Sequence, residues 1–140
     1  MRFAVPLLLL VGLPAFAAPV PKELRGTDAD RIAGVWKLTT AKYGLEDYES
    51  AHGTKWTLAA NGTAIRDRPT EGIGKATFKI DPKAGAKTFE WNTEEGSIFY
   101  GVYELEGDRF KVILSVNSTD RPKVCKPTEG AYCFEFQRAK

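Results

Sequence analysis

The residues best suited to catalysis lie in one polar segment, residues 43–53, around His52. His52 is the single histidine of the chain, and Glu46, Asp47 and Glu49 lie close to it in sequence. A histidine that acts as a general base needs a positioned partner and a nucleophile within hydrogen-bond reach. The serines of the chain have no nucleophile-elbow context. The sequence therefore predicts a solvated loop histidine, no enzyme activity, and neither a metal nor a cofactor.

The two cysteines, Cys125 and Cys133, are the other reactive residues, and both lie late in the chain. In an exported protein an isolated pair of this kind predicts a disulfide. The loop that it would close is short, so the chain-entropy model gives only about 2.5 kcal/mol of stabilisation. Metal binding by the two thiols is disfavoured, because a single histidine leaves too few further ligands.

A candidate ligand site consists of Trp56, Asp67 and Tyr103, which are suited to binding rather than to catalysis. The Asn61-Gly62 pair lies between two alternating segments and is typical of a two-residue hairpin turn. Such a turn would place Asp67 opposite Trp56 near one mouth of a barrel. An inward carboxylate there would orient a polar group of a ligand. The alternative is that Asp67 ends its strand facing water.

The elements that must position these residues are short strands, and the first opens at Gly34-Val35-Trp36. Because side chains alternate along a strand, Trp36, Leu38 and Thr40 are expected on one face. A tryptophan here is a large anchor that can bury about 200 Å². Residues 27–33, just before this strand, fit a short helix that begins with a capping box and ends at Gly34.

From residue 53 onward, alternating apolar and polar residues predict strands joined by tight turns. The Asn61-Gly62 turn would place Leu58 opposite Ile65, and a turn at Gly107-Asp108 would place Leu105 opposite Phe110. Aromatic side chains would then fall on the inner face: Trp36, Trp56, Phe78, Phe89, Trp91, Phe99, Tyr103, Phe110, Phe134 and Phe136. Such side chains either line a ligand cavity or fill a small barrel, and their number favours filling.

Roughly eight short strands with hairpin connections predict an all-β fold, an antiparallel up-and-down barrel with a short N-terminal helix. A two-sheet sandwich is the alternative. The polar segment 43–53 would be a loop, a short helix or a lid over one end.

The turn at Gly107-Asp108 would also place an apolar patch on the outside of the barrel. Covering this patch would stabilise a soluble monomer. This outer patch comprises Ile98, Tyr100, Val102 and Ile113. The favoured cover is the lead-in 18–25 together with the helix that carries Ile32, and the alternative is a second copy of the protein. The sequence therefore favours a monomer.

Residues 1–17 are typical of a cleavable signal peptide, with Arg2, an apolar run and a small-x-small site at Ala15-Phe16-Ala17. The apolar run is shorter than the roughly 20 residues of a membrane-spanning helix. No cysteine follows it, which disfavours a lipid anchor. The prediction is a periplasmic or secreted protein with one domain, residues 18–140. A net charge of +2 argues against nucleic acid as a partner.

The Gly34-x-Trp36 motif resembles the lipocalin entry motif. In lipocalins the tryptophan lies at the closed end of the barrel under an arginine from the last strands. Arg138 is in phase with Phe134 and Phe136, so the resemblance makes it the candidate for that arginine. The alternative is that Arg138 is a solvated C-terminal charge.

Longer segments, residues 30–38, 79–83, 101–112 and 121–122, resemble a paralogous family of exported planctomycete proteins. Its members are small lipocalin-like domains with no established activity. The resemblance therefore implies a fold and export from the cytoplasm, and it implies no catalytic residues. The cysteine pair departs from the family pattern. We therefore expect an exported, non-enzymatic binding domain, with a small apolar ligand at one barrel mouth. The alternative is an inhibitor or docking module that binds a protein partner through its loops and outer surface.

Overall fold

The computed structural model describes residues 27–83, 86–115 and 121–140 and shows the predicted antiparallel barrel. Its elements are α1 (Asp28–Ile32), β1 (Gly34–Tyr43), β2 (Glu46–Asp47), a 3₁₀ turn (Glu49–Ala51), β3 (Lys55–Leu58), β4 (Thr63–Arg68), β5 (Gly72–Asp81), β6 (Thr88–Thr93), β7 (Ile98–Glu106), β8 (Arg109–Ser115) and β9 (Ala131–Arg138). Eight strands form the barrel, and the pairing of β1 with β9 closes it. The extra strand, β2, pairs with the end of β1. The predicted signal peptide, residues 1–17, and the lead-in 18–25 lie outside the described residues.

The short helix α1 begins with the predicted capping box. The Thr27 side chain accepts a hydrogen bond from the Asp30 backbone at 3.2 Å, and the Asp30 carboxylate accepts one from the Thr27 backbone at 3.4 Å. Its last residue, Ile32, is fully buried in the barrel core rather than on the outer face, where it was expected. Within the described residues, no helix is long and apolar enough to cross a bilayer.

The first strand carries an irregularity that inverts part of its predicted pattern. Its pairing with β9 shifts register between Leu38 and Thr40. A bulge inserts one extra residue and changes which side chains face inward beyond it. Ala41, which the alternation assigned to the outer face, is therefore fully buried in the core.

The hairpin at Asn61-Gly62 has a three-residue loop, so the two-residue turn expected there is wrong. The Ala59 carbonyl accepts a hydrogen bond from Gly62 at 3.0 Å, and the Ala59 amide donates to the Thr63 carbonyl at 2.9 Å. Gly62 has φ +93°, a conformation that glycine adopts without steric cost. This geometry is that of a turn followed by a left-handed residue, the next most common hairpin loop.

The longer loop moves the β3–β4 pairing by one residue, which turns every β4 side chain to the opposite face. Leu58 faces Ala64 instead of Ile65, and Ile65 is 43% exposed. Asp67 pairs with the exposed residue Lys55 and not with Trp56. The inward-facing residues of β4 therefore differ from those that the sequence predicted.

The inner face carries the predicted aromatic residues, all of which lie in the main core or pack against it. The other predicted hairpin register is confirmed, since Leu105 pairs with Phe110 across β7 and β8. Trp36 is fully buried and its ring centroid lies 5.6 Å from that of Phe110. Aromatic side chains therefore fill most of the interior.

Part of the predicted outer patch is covered, whereas Ile98 is 42% exposed, and the lead-in 18–25 that was expected to cover the patch lies outside the described residues. Val102 and Ile113 are buried in a second apolar cluster, against which Ala86 and Cys125 pack. Arg121 holds its own segment against this part of the sheet, because its Nη1 donates to the carbonyls of Phe89 and Gly101, each at 3.0 Å. Arg121 and Cys125 thus lie across the outside of the barrel.

Candidate ligand-binding site at the open end of the barrel

The two ends of the barrel differ, because α1 lies across only one of them. At this closed end, an Arg31 guanidinium nitrogen donates to the Leu105 carbonyl at 3.4 Å, and the Tyr103 hydroxyl donates to Asp28 at 2.6 Å. The opposite end, which we call the open end, lies beside β2 and the turns that follow β4 and β6.

The closed end is built on Gly34, Trp36 and Arg138, the three residues of the motif. The Arg138 guanidinium lies over the Trp36 ring, 4.3 Å from its centroid, and donates to the carbonyls of Arg31 and Ala33. These bonds satisfy carbonyl groups at the end of α1, which have no partner within the helix. Gly34 has φ +138°, and a Cβ there would lie 2.6 Å from Arg138 Nη1, so a side chain would collide with the arginine.

A buried carboxylate joins α1 to the barrel at the same end. Asp28 accepts hydrogen bonds from Tyr103 at 2.6 Å, Lys87 at 3.0 Å and Arg31 at 3.1 Å. Burial alone would raise the pKa of the Asp28 carboxyl, but the bonds from Tyr103 and Lys87 and the nearby positive charges leave that pKa below its ordinary value. Burial and the bond to Asp28 raise the pKa of Tyr103. Tyr103 therefore serves the closed end and is not part of a site with Asp67.

The open end contains a cavity of about 140 Å³. Its floor includes Trp56 stacked on Trp91, with ring centroids 4.1 Å apart. Tyr48, from the polar segment 43–53, contributes to the wall, where its ring lies 5.2 Å from that of Tyr132. The lining residues are Tyr48, Trp56, Arg66, Arg68, Trp91, Thr93, Phe99, Leu114, Tyr132 and Phe134.

Two arginines of β4 enter this cavity because of the shifted register. Arg68 is only 8% exposed, and it donates to the Thr54 hydroxyl at 3.2 Å and to Glu71 at 2.9 Å. Arg66 Nη1 lies 3.4 Å from the other Glu71 oxygen. Neither arginine was predicted at the ligand site from the sequence. The signal was present, since Ala64, Arg66 and Arg68 alternate in phase, but it required the correct turn length.

Two nitrogen atoms on the cavity side chains have no hydrogen-bond acceptor. Trp56 Nε1 and Arg66 Nε are the buried side-chain nitrogen or oxygen atoms, among the described residues, that lack a partner. Both groups are donors only. The open end therefore contains two buried hydrogen-bond donors that have no acceptor, next to an apolar wall.

The remaining sequence candidates lie away from this cavity. Of the predicted ligand site, the structure brings Trp56 to the cavity and places Asp67 on the outer face. The His52 side chain is 55% exposed, with Nε2 3.0 Å from an Asp47 oxygen. In the described ranges, no group of three or more histidine, cysteine, aspartate and glutamate side chains is placed to hold a metal ion.

The predicted disulfide is not formed in the structure, where Cys125 and Cys133 are free thiols. They belong to one apolar cluster on the outside of the barrel. Burial is the main reason that the pKa of Cys125 is raised to about 12 and that of Cys133 to about 11. Both thiols are therefore protonated at neutral pH, the less reactive form.

Comparisons with protein-family models, with curated proteins and with solved structures gave no match. The resemblance to exported planctomycete lipocalin-like proteins stays a prediction from the sequence. The closed antiparallel barrel is consistent with the lipocalin-like part of that prediction.

Proposed function

We propose that this protein is an exported, non-enzymatic binding protein that holds one small ligand at the open end of its barrel. The observation that carries the proposal is the aromatic-lined cavity of about 140 Å³ in a barrel that is otherwise filled. Ligand sites are concave and mostly apolar, with a few placed polar groups. An engineered apolar cavity of about 150 Å³ is large enough to bind benzene. The ligand we propose is therefore about as large as one substituted ring.

Native mass spectrometry of the protein purified from its own host tests this proposal. We expect a monomer that begins at residue 18 and carries one small molecule, which is released when the protein is denatured. A chain that retains residues 1–17 would contradict export. A ligand-free chain that stays associated with a second protein would favour the docking module that acts through loops and outer surface.

We also propose that Cys125 and Cys133 become a disulfide after export. Their place in one apolar cluster supports this pairing. Two thiols would each lose a hydrogen, and the two electrons would reduce a disulfide oxidant of the export compartment to two thiols. Alkylation of the unreduced, denatured protein should label neither cysteine. Labelling of both would refute the proposal.

A further inference from the structure

The charged side chains that line the cavity are both cationic. Arg66 and Arg68 share one acidic partner, Glu71, whose two oxygens bind one arginine each. The Glu71 side chain is 48% exposed and lies outside the cavity lining. One unit of positive charge is therefore left without a counter-ion at this site. Arg68 is nine-tenths buried and the Arg66 side chain is 26% exposed, so water screens this charge only in part.

The cavity side chains also carry two hydrogen-bond donors that have no acceptor. Trp56 is only 2% exposed, yet its indole Nε1 has no acceptor, and the same holds for Arg66 Nε. A buried donor without an acceptor costs free energy, which a bound acceptor would recover. Because both atoms are buried, a ligand acceptor would reach them only after neighbouring side chains shift, whereas the Arg66 side chain as a whole is 26% exposed and can be contacted directly.

The rest of the wall is suited to an apolar body. Trp56 and Trp91 stack with 15° between their planes, and Phe99, Leu114 and Phe134 lie around the same space. Tyr132 adds a ring whose hydroxyl is neutral, since burial raises its pKa. A flat group that packs against these rings would bury apolar surface without leaving polar atoms unpaired.

We infer that the ligand of the open end is a small monocarboxylate with a flat or short apolar body. An ionised carboxylate accepts hydrogen bonds and donates none, and it supplies the missing counter-charge for the arginines. Its oxygens bind the Arg66 side chain, while its body lies against the aromatic wall. This inference rests on the proposed function and adds the chemical class of its ligand.

Isothermal titration with three probes of one shape tests the inference: benzoate, neutral benzamide and cationic benzylamine. We expect benzoate to bind at least tenfold more tightly than benzamide, and benzylamine to show no binding. Equal affinity for benzoate and benzamide would contradict the inference that the ligand carries a carboxylate, but it would still support a ligand-binding cavity. If inorganic phosphate binds as tightly as benzoate, the inference that the ligand has an apolar part packed on the aromatic wall would be wrong. No binding of any probe would overturn both the inference and the proposed function.

Two variants that each remove one positive charge test whether the preference for benzoate over benzamide arises at the cavity. Arg66→Gln should reduce the preference for benzoate over benzamide to less than threefold, because it removes the positive charge that distinguishes the two probes. Arg109→Gln removes the same charge from an exposed position at the closed end and should leave the preference unchanged. Circular dichroism and thermal melting of both variants verify folding. A preference that survives in folded Arg66→Gln, or that falls equally in the two variants, would overturn the inference.

Discussion

At the closed end of the barrel, polar groups are paired, whereas at the open end two buried donors are left without acceptors. Arg138 at the closed end donates to two helix carbonyls and covers Trp36. Arg66 at the open end contacts an exposed carboxylate and leaves Nε unused. One barrel thus uses the same residue type in two ways. Arginine at the closed end stabilises the fold, and we propose that arginine at the open end is kept for a ligand.

The largest expected effect follows from removing the anchor of the closed end. Trp36→Ala should lower the free energy of unfolding by about 3–5 kcal/mol, because Trp36 is fully buried. Phe99→Ala at the open end is the matched control and should cost clearly less, since Phe99 is partly exposed. Chemical denaturation of both variants gives the comparison. Equal losses would mean that the two ends contribute alike to stability.

The next comparison is between the contributions of Arg138 and Arg66 to the free energy of unfolding. Arg138→Met should cost about 2 kcal/mol, because helix carbonyls lose a charged donor and the contact with Trp36 is lost. Arg66→Met should change stability by less than about 0.5 kcal/mol, or raise it, because it removes a weak exposed ion pair together with an unpartnered donor. Denaturant midpoints measure both variants. A large loss in Arg66→Met would show that the open end is also built for stability.

The smallest expected effect is a pH dependence confined to the closed end. The folded-state pKa of Asp28 lies below its ordinary value of 3.8. Its stabilising contribution is therefore present above about pH 4 and is lost as the pH falls through the lower folded-state pKa. The stability difference between the parent and Asp28→Asn should shrink when the pH is lowered from 7 to 3.

Asp47→Asn is the control for this measurement, because Asp47 carries an exposed carboxylate on the other side of the molecule, in β2. Denaturation at pH 7, 4 and 3 covers the relevant range. A difference between the parent and Asp28→Asn that does not change with pH would contradict the paired carboxylate described at the closed end.

Most of the closed end could be predicted from the sequence, because its signals are local. The capping box spans four residues, and the tight turn at Gly107-Asp108 fixes the β7–β8 register. Gly34 and Trp36 lie two residues apart in one strand. Two features of the closed end required distant partners. The phase of Arg138 with Phe134 and Phe136 suggested its position, whereas the contacts of Asp28 with Tyr103 and Lys87 were not predicted.

The open end could not be predicted, because its arginines depend on the length of one turn. Asn61-Gly62 is compatible with a two-residue loop and with a three-residue loop. The first places Ile65 and Asp67 inside, and the second places Arg66 there. An apolar isoleucine made the first alternative the natural interpretation, although the β4 sequence alternates equally well in either phase.

The sequence alone determined that there are alternating strands, a short capped helix and enough aromatic side chains to fill a small barrel. Only the tertiary structure decided which side of β4 and of the second half of β1 faces inward. The physical reason is that side chains alternate with a period of two residues, so one extra residue in a loop or a bulge exchanges the two faces. That exchange costs little locally, and it is decided by how all eight strands close into one barrel.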